Sequence, residues 1–240
     1  MQCSCAPEKA GELSCHYRRV AKSRFMMICI SSRTPLLQRA STLDELTMPI
    51  AEIFAEHARV TARAGEELPD TLERIVQAVH GCLRGGHKIF ACGNGGSAAD
   101  AQHLVAELIG RFLHDRQALP AIALTSDAAT MTAISNDYGY ERVFARQLEG
   151  LAAKGDLLFA ISTSGNSPNV VQAAQTARSL GCVVVALTGE RDSKLAAHAD
   201  PGLLIRAPST VTARIQEVHS LCIHAIAETV DALLREGEHP

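Results

Sequence analysis

From residue 88 onwards, short apolar runs alternate with longer segments in which apolar residues recur every three or four positions. The short runs predict buried β-strands and the longer segments predict amphipathic α-helices. The predicted strands are Lys88–Cys92, Ala121–Leu124, Leu157–Ile161, Val183–Leu187 and Leu203–Ile205. The predicted helices are Ser97–Leu113, Ala128–Ile134, Glu141–Ala152, Pro168–Leu180 and Val211–Leu234. This alternation predicts an α/β fold of three layers, with a five-stranded parallel sheet flanked by helices on both faces.

Two more helices are predicted before the first strand, at Ala51–Ala62 and Leu68–Leu83. The first of them and the last helix, Val211–Leu234, are amphipathic and exceed what one five-stranded sheet needs to cover itself. We therefore expect both helices to pack against neighbouring subunits of a symmetric oligomer.

Residues 1–47 lack a sustained hydrophobic period and contain four of the eight cysteines. We interpret them as a disordered or non-native extension, with one domain spanning 48–240 and a natural start at Met48. A signal peptide is the alternative, because basic residues precede the apolar run Phe25–Ile30. That run is short, however, and no clear small-residue cleavage site follows it.

Composition narrows the class of protein. An apolar content of 47% is ample for a core, and a net charge of −3 gives no electrostatic reason to expect nucleic acid or an acidic membrane surface as a partner. The chain has no run of about 18 apolar residues, so no transmembrane helix is expected. Cysteines scattered through predicted helices and strands, without a CxxC pair, argue against a zinc finger and favour a cytoplasmic location.

Two polar turns follow predicted strands. Gly93–Gly96 precedes a helix for which Ser97 is the expected N-cap, with Asp100 completing a capping-box pattern. The turn lacks the full dinucleotide-binding GxGxxG pattern, and a tight turn without a ligand is the simpler alternative. Ser162–Ser167 is rich in hydroxyls and predicts a phosphate cradle at a helix N-terminus, although a loop with local hydrogen bonds would have similar residues. Both turns, and Asn136-Asp137, are expected at the carboxyl edge of the sheet.

A possible metal site involves two helices. His103 and Glu107 are four residues apart on one helix face, as in a solvated pair or in two ligands of a divalent ion. The last helix offers Gln216 and His224 off its apolar stripe, with His219 as a rival. Eight residues rise about 12 Å on a straight helix. To bind one ion, Gln216 and His224 would therefore need extended side chains, or the ligands would have to come from two subunits. The third possibility is that His219 replaces His224.

Five segments occur in a characteristic order: CGNGGSAADAQHLVAEL, SNDYG, ISTSGNS, ALTG and RIQEVHSLCIH. Together they resemble the phosphoheptose isomerase family, whose members are single sugar isomerase (SIS) domains, over about Met48 to Leu234. The resemblance implies a cytoplasmic homotetramer that converts sedoheptulose 7-phosphate to D-glycero-D-manno-heptose 7-phosphate. In that family this aldose–ketose isomerisation is the first step toward the ADP-heptose of bacterial lipopolysaccharide.

The resemblance also implies the site residues. One zinc ion per subunit would be bound by His103, Glu107, Gln216 and His224. The implied substrate contacts are Asn94, Gly95, Gly96, Glu107, Asn136, Asp137, Ser162, Thr163, Ser164, Ser167 and Gln216. Glu107 and His224 would be the acid–base pair, with Glu107 moving the carbon proton and His224 acting on oxygen; a direct hydride shift is the open alternative.

Two features depart from the family pattern. Ala213 stands where many members have an aspartate, and Glu190–Ser193 replaces a segment that usually carries two glycines. The main alternative to the enzyme is a non-catalytic SIS-domain protein, either a sugar-phosphate sensor or a relative of the replication-initiator-associating protein. The latter protein lacks the glutamate and the second histidine that Glu107 and His224 supply here, so their presence favours the enzyme.

Overall fold

The computed structural model describes residues 49–236, and the interpretation of residues 1–47 lies outside that range. The strands are β1 (Ile89–Gly93), β2 (Ala121–Ala123), β3 (Leu157–Ile161), β4 (Val183–Gly189) and β5 (Leu204–Ala207). The helices are α1 (Ile50–Glu67), α2 (Pro69–Arg84), α3 (Gly96–Ile109), α4 (Ala128–Tyr138), α5 (Ala145–Leu151), α6 (Pro168–Ser179) and α7 (Thr212–Glu236). Single 3₁₀ turns lie at Tyr140–Arg142 and Leu195–His198.

The five strands form one parallel sheet in the order β2-β1-β3-β4-β5. Successive side chains of a strand point to opposite faces. Accordingly Ile89 and Phe159 pack in a core with α1, α2, α3 and α7. Phe90 and Leu158 pack in a second core with α4, α5 and α6. The predicted three-layer α/β fold is confirmed.

The start of α3 differs from the expected cap. Gly95, with φ +55°, is the N-cap residue, and Ser97 lies buried within the first turn of the helix. A Cβ on Gly93 would overlap the backbone of Ser97, so the glycine allows the end of β1 and the helix to approach closely. Because the turn itself starts the helix, Asp100 is free to face α7, and the predicted capping box is wrong.

Other boundaries shift by a few residues. Helix α3 ends at Ile109, with Gly110 as C-cap, rather than at Leu113. Helix α4 continues past Ile134 to Tyr138 and so includes Asn136 and Asp137. The helix predicted at Glu141–Ala152 is a 3₁₀ turn followed by the shorter α5.

Helices α1 and α7, which were expected to pack against neighbouring subunits, differ in how they bury their apolar residues. Helix α7 buries its apolar stripe in the core of its own chain, through Ile215, Val218 and Ile226 among others, so the expectation that this stripe needs a partner is wrong. Helix α1 leaves Ile50 and Phe54 73% and 69% exposed. Within residues 49–236, no helix has the length and apolar character needed to cross a bilayer.

Candidate active site

Helices α3 and α7 lie side by side and run in the same direction, joined by a series of close contacts that we call the α3–α7 seam. At its first level, a Cβ on Gly96 would overlap the side-chain amide of Gln216. At its second, Ser220 Oγ donates to Asp100 Oδ1 at 2.9 Å. At its third, the Nε2 atoms of His103 and His224 are 3.1 Å apart. The seam therefore brings together four of the predicted site residues, from segments more than 100 positions apart: Gly96 and His103 of α3, and Gln216 and His224 of α7.

The third level also includes Glu107, whose Oε1 lies 3.1 Å from His103 Nε2. One nitrogen from each of His103 and His224 and one oxygen of Glu107 all lie within 4.8 Å of one another. The two imidazole rings meet edge to face, with centroids 4.7 Å apart and planes at 85°. The ring of Phe112, just beyond the end of α3, lies 5.8 Å from that of His224. The three polar side chains are partly buried, so a small ligand has access to them.

This donor set fits a divalent cation. His103 Nε2 carries at most one proton, yet it faces both a carboxylate oxygen and a second imidazole nitrogen. A cation at the point where the three atoms converge would accept a lone pair from each of them. Two imidazole nitrogens and a carboxylate oxygen are ligands that zinc takes in catalytic sites.

His219, the rival ligand, lies elsewhere. It is fully buried beneath β4, and its Nε2 pairs with the carbonyl oxygen of Thr188 at 3.1 Å. Burial lowers the pKa of His219 to about 4, so the ring is neutral near pH 7 and donates that hydrogen bond. The structure therefore selects His224 over His219 as the histidine of α7 that faces His103.

Gln216 stands apart from the cluster. Its amide lies against Gly96, which precedes His103 by seven residues, or about 10 Å along α3. A shallow cleft of about 620 Å³ runs along this side of the seam. It connects the first and third levels, since Gln216 and His224 both line it. Ala213, where the family often has an aspartate, lines the same cleft.

Charged groups border this cleft. Burial raises the pKa of Asp100. The hydrogen bond from Ser220 and the nearby His103 act to lower this pKa, but they offset the rise only in part. Burial also acts to raise the pKa of Glu217, but hydrogen bonds from Arg214 and from His57 outweigh it and hold that pKa below the usual range. His57 belongs to α1 and lies 2.6 Å from Glu217, so α1 forms one wall of the cleft.

The Ser162–Ser167 turn leads from β3 to the N-terminus of α6. Ser162 is buried, and its Oγ lies 3.0 Å from Ser167 Oγ and 3.5 Å from Ser164 Oγ. Thr163 and Ser164 line a second cavity of about 260 Å³, together with the first residues of α7. The hydroxyls thus converge at a helix N-terminus, where backbone amides favour an anion.

Three predicted substrate contacts, Asn94, Asn136 and Asp137, bond to other side chains of the protein. The amide of Asn94 exchanges hydrogen bonds of 2.9 and 2.8 Å with that of Asn169, and it also accepts one from Tyr140 Oη at 3.0 Å. Asn136 and Asp137 are exposed at the end of α4 and hydrogen-bond to each other. Neither of the two clefts described above is lined by these residues.

Sequence reasoning missed several residues around the seam. Arg116 and Asp231 form a buried ion pair at its far end, and Asn169 fixes the glycine turn. Arg116 lies in an irregular loop, where no periodic pattern marks it as buried. Asp231 interrupts the apolar stripe of α7, and this interruption was the only local signal.

The chain is similar to known proteins in both sequence and fold. Residues 52–189 match the SIS domain family. The chain is 48% identical over 186 residues to a phosphoheptose isomerase of Shewanella denitrificans, covering 77% of this chain and 95% of that protein. A solved phosphoheptose isomerase from Neisseria gonorrhoeae matches with TM-score 0.72 and 43% identity, over 76% of this chain and 97% of that one. Another, from Francisella tularensis, matches with TM-score 0.74 and 36% identity, over 80% and 98% of the two chains.

Proposed function

The chain belongs to the phosphoheptose isomerases of the SIS-domain family, and from this premise we propose that it converts sedoheptulose 7-phosphate to D-glycero-D-manno-heptose 7-phosphate. The observation that carries the proposal is the meeting of Glu107 and His224 across the seam, because a non-catalytic SIS protein has no need of this pair. Incubation of the purified protein with sedoheptulose 7-phosphate, followed by analysis for the aldose, tests it. Tight binding of the sugar without turnover would favour the non-catalytic alternative.

The reaction moves a hydrogen between C1 and C2 and a proton between the two oxygens. A proton route requires a base at carbon and an acid at oxygen. We assign Glu107 to take the proton from C1 of the ketose and return it to C2. His224, from the opposite helix, supplies the proton to the C2 oxygen and takes it from the C1 oxygen. Side chains from two helices can flank a sugar that lies across the seam.

We further propose that His103, Glu107 and His224 hold one zinc ion per subunit, with Gln216 as a fourth ligand on the family resemblance alone. Bound zinc would polarise the substrate carbonyl as a Lewis acid. The convergence of the three donor atoms supports this assignment. Zinc content per chain, measured after dialysis, should be close to one for wild type and for His219→Ala, and it should be lost in His224→Ala. Loss only in His219→Ala would contradict the ligand set.

Replacing Ser162 and Ser164 together by alanine is expected to raise KM for the sugar phosphate more than it lowers kcat. The phosphate is remote from C1 and C2 and is bound similarly in the ground and transition states. Steady-state kinetics measure the two constants separately, with Ser179→Ala at the far end of α6 as the control. An unchanged KM would remove this turn from phosphate binding.

We propose a homotetramer, as the resemblance implies. Ile50 and Phe54 lie one turn apart on α1 and are largely exposed, which supports an apolar contact between subunits through α1. Light scattering at micromolar concentration should give four times the chain mass of 25.6 kDa. A monomeric mass would contradict this proposal.

The same resemblance leads us to propose a cytoplasmic enzyme that acts early in the synthesis of lipopolysaccharide heptose. Four buried free cysteines, Cys82, Cys92, Cys182 and Cys222, are compatible with a reducing compartment. Cell fractionation tests the location. Deletion of the gene should yield lipopolysaccharide that lacks heptose, and an unaltered lipopolysaccharide would contradict the pathway.

A further inference from the structure

Arg116 is a buried arginine outside the set of predicted site residues. It lies in the loop between α3 and β2, and its side chain is 6% exposed. Its Nε donates to Asp231 Oδ1 at 2.6 Å. Its two terminal nitrogens donate to three backbone carbonyls, those of Glu107 at 2.7 Å, Leu108 at 2.8 Å and Gln117 at 3.0 Å. The planar guanidinium therefore satisfies four oxygens from three segments of the chain.

Two of those carbonyls belong to the last turn of α3. Carbonyls in the last turn of a helix have no partner within the helix, and a positive charge at that end is favourable. Arg116 thus caps α3 at the turn that carries Glu107. The cap bonds to the backbone of Glu107 itself, and so it bears directly on where that carboxylate stands.

The other half of the pair belongs to α7. Asp231 follows His224 by seven residues, which is two helical turns, and therefore lies on the same face of α7. Its side chain is 2% exposed, and its Oδ2 accepts a hydrogen bond from the backbone N–H of His114 at 3.2 Å. The Arg116–Asp231 pair thus joins the end of α3 to the face of α7 that carries His224.

Stability alone does not explain this pair. Removing two charges from water is costly, and apolar residues of similar volume are often equally stable or more so in such positions. An ion pair with fixed geometry does, in contrast, define the relative position of the two helices. Small displacements between reacting groups are costly for catalysis.

We propose that Arg116 and Asp231 are a positioning pair that sets the separation of Glu107 from His224 across the α3–α7 seam. The functional part of this inference rests on the proposed isomerase and zinc site. Neither side chain hydrogen-bonds to the donor atoms of the proposed zinc ligands; both act through the backbone of α3 and the placement of α7.

The test replaces the pair by apolar residues, Arg116→Met together with Asp231→Leu, in the full chain. We expect a folded protein with an unchanged KM for sedoheptulose 7-phosphate. Its zinc affinity, measured by competition with a chromophoric chelator, should fall by about 10- to 100-fold, as for other groups that orient metal ligands. Its kcat should fall by at least about tenfold. Asp156→Asn, which removes a buried carboxylate paired with Lys88 away from the seam, is the control and should leave zinc affinity unchanged.

Hydrogen exchange on the metal-free protein separates this inference from the proposed function. The backbone amides of Leu108 to Gly110 should exchange at least about tenfold faster in the double variant than in wild type. The amides in the first turns of α3 serve as the internal reference for the exchange rates. Unchanged exchange there, or zinc affinity and kcat within about twofold of wild type, would overturn the positioning role. A wild type that neither binds zinc nor isomerises the sugar would instead refute the proposed function. Hydrogen exchange would then still test whether the Arg116–Asp231 pair holds the end of α3. If the double variant does not fold, Arg116→Lys gives the same test, since the single nitrogen of an ammonium does not reproduce the three separate nitrogens with which the guanidinium bonds to Asp231 and both carbonyls.

Discussion

Glu107→Gln lowers kcat by at least about 10²-fold, the loss typical of a missing general base, and leaves the protein folded. Glutamine keeps the shape of the side chain but cannot take a proton from carbon. Glu107 is partly buried and hydrogen-bonded to His103, so the substitution changes little besides charge and basicity. Rates at saturating sedoheptulose 7-phosphate, with circular dichroism as the check on folding, measure the effect.

Glu66→Gln is the matched control, because Glu66 is exposed on α1 and should tolerate the same change with a wild-type rate. The zinc content of the Glu107 variant must be measured as well, since the same carboxylate is a proposed ligand. A kcat within a few fold of wild type, at full zinc content, would remove Glu107 from the chemistry.

Isotope exchange distinguishes the route of the hydrogen in the same reaction. If Glu107 carries the proton from C1 to C2 and exchanges it with solvent, turnover in D₂O should place deuterium at C2 of the heptose product. Mass spectrometry and NMR of the product detect it. Absence of deuterium would favour a direct hydride shift or a proton that is shielded from solvent.

Asp156→Asn lowers the free energy of unfolding by about 3 kcal/mol, the low end for breaking a buried ion pair, because only the carboxylate of the Lys88–Asp156 pair is fully buried. Asp156 immediately precedes β3, and its side chain is 1% exposed. It accepts hydrogen bonds from Lys88 Nζ at 2.7 Å, Lys88 N at 3.0 Å and Ala153 N at 2.8 Å. An amide in its place turns an NH₂ toward these donors and removes the charge opposite Lys88. Urea unfolding at pH 7 measures the loss.

Glu149→Gln is the control for this change, because Glu149 pairs with Arg142 and Arg146 at the surface and such pairs contribute only about 0–1 kcal/mol. Equal destabilisation by the two substitutions would contradict the importance of burial.

Lowering the pH should reduce the difference in the free energy of unfolding between wild type and Asp156→Asn. Burial acts to raise the pKa of Asp156, but hydrogen bonds from Lys88 and Ala153 outweigh it and leave that pKa below its ordinary value. A carboxyl group with a lowered pKa in the folded state contributes stability above its unfolded pKa of about 4 and loses it as the pH falls through the folded value. A difference in unfolding free energy that stays constant from pH 7 to pH 3 would contradict this account.

The sequence by itself determined the layers of the fold and most of the candidate chemistry. Apolar runs and helical periods are local properties, so they located all five strands and the helices of residues 49–236. The two polar turns were likewise visible because strand, turn and helix follow one another directly in the chain. His103 and Glu107 share one helix face for the same local reason.

Only the tertiary structure decided which residues of α7 meet them. His224 and His219 are both histidines of one amphipathic helix, and the choice depends on which face packs against the sheet and which against α3. Arg116 and Asp231 are 115 positions apart, and no local period relates them. The carbonyls of Glu107 and Leu108 in the last turn of α3 are likewise bonded by an arginine that returns from the following loop. Contacts between distant segments are set by the packing of whole helices and strands. A local sequence pattern therefore does not predict them.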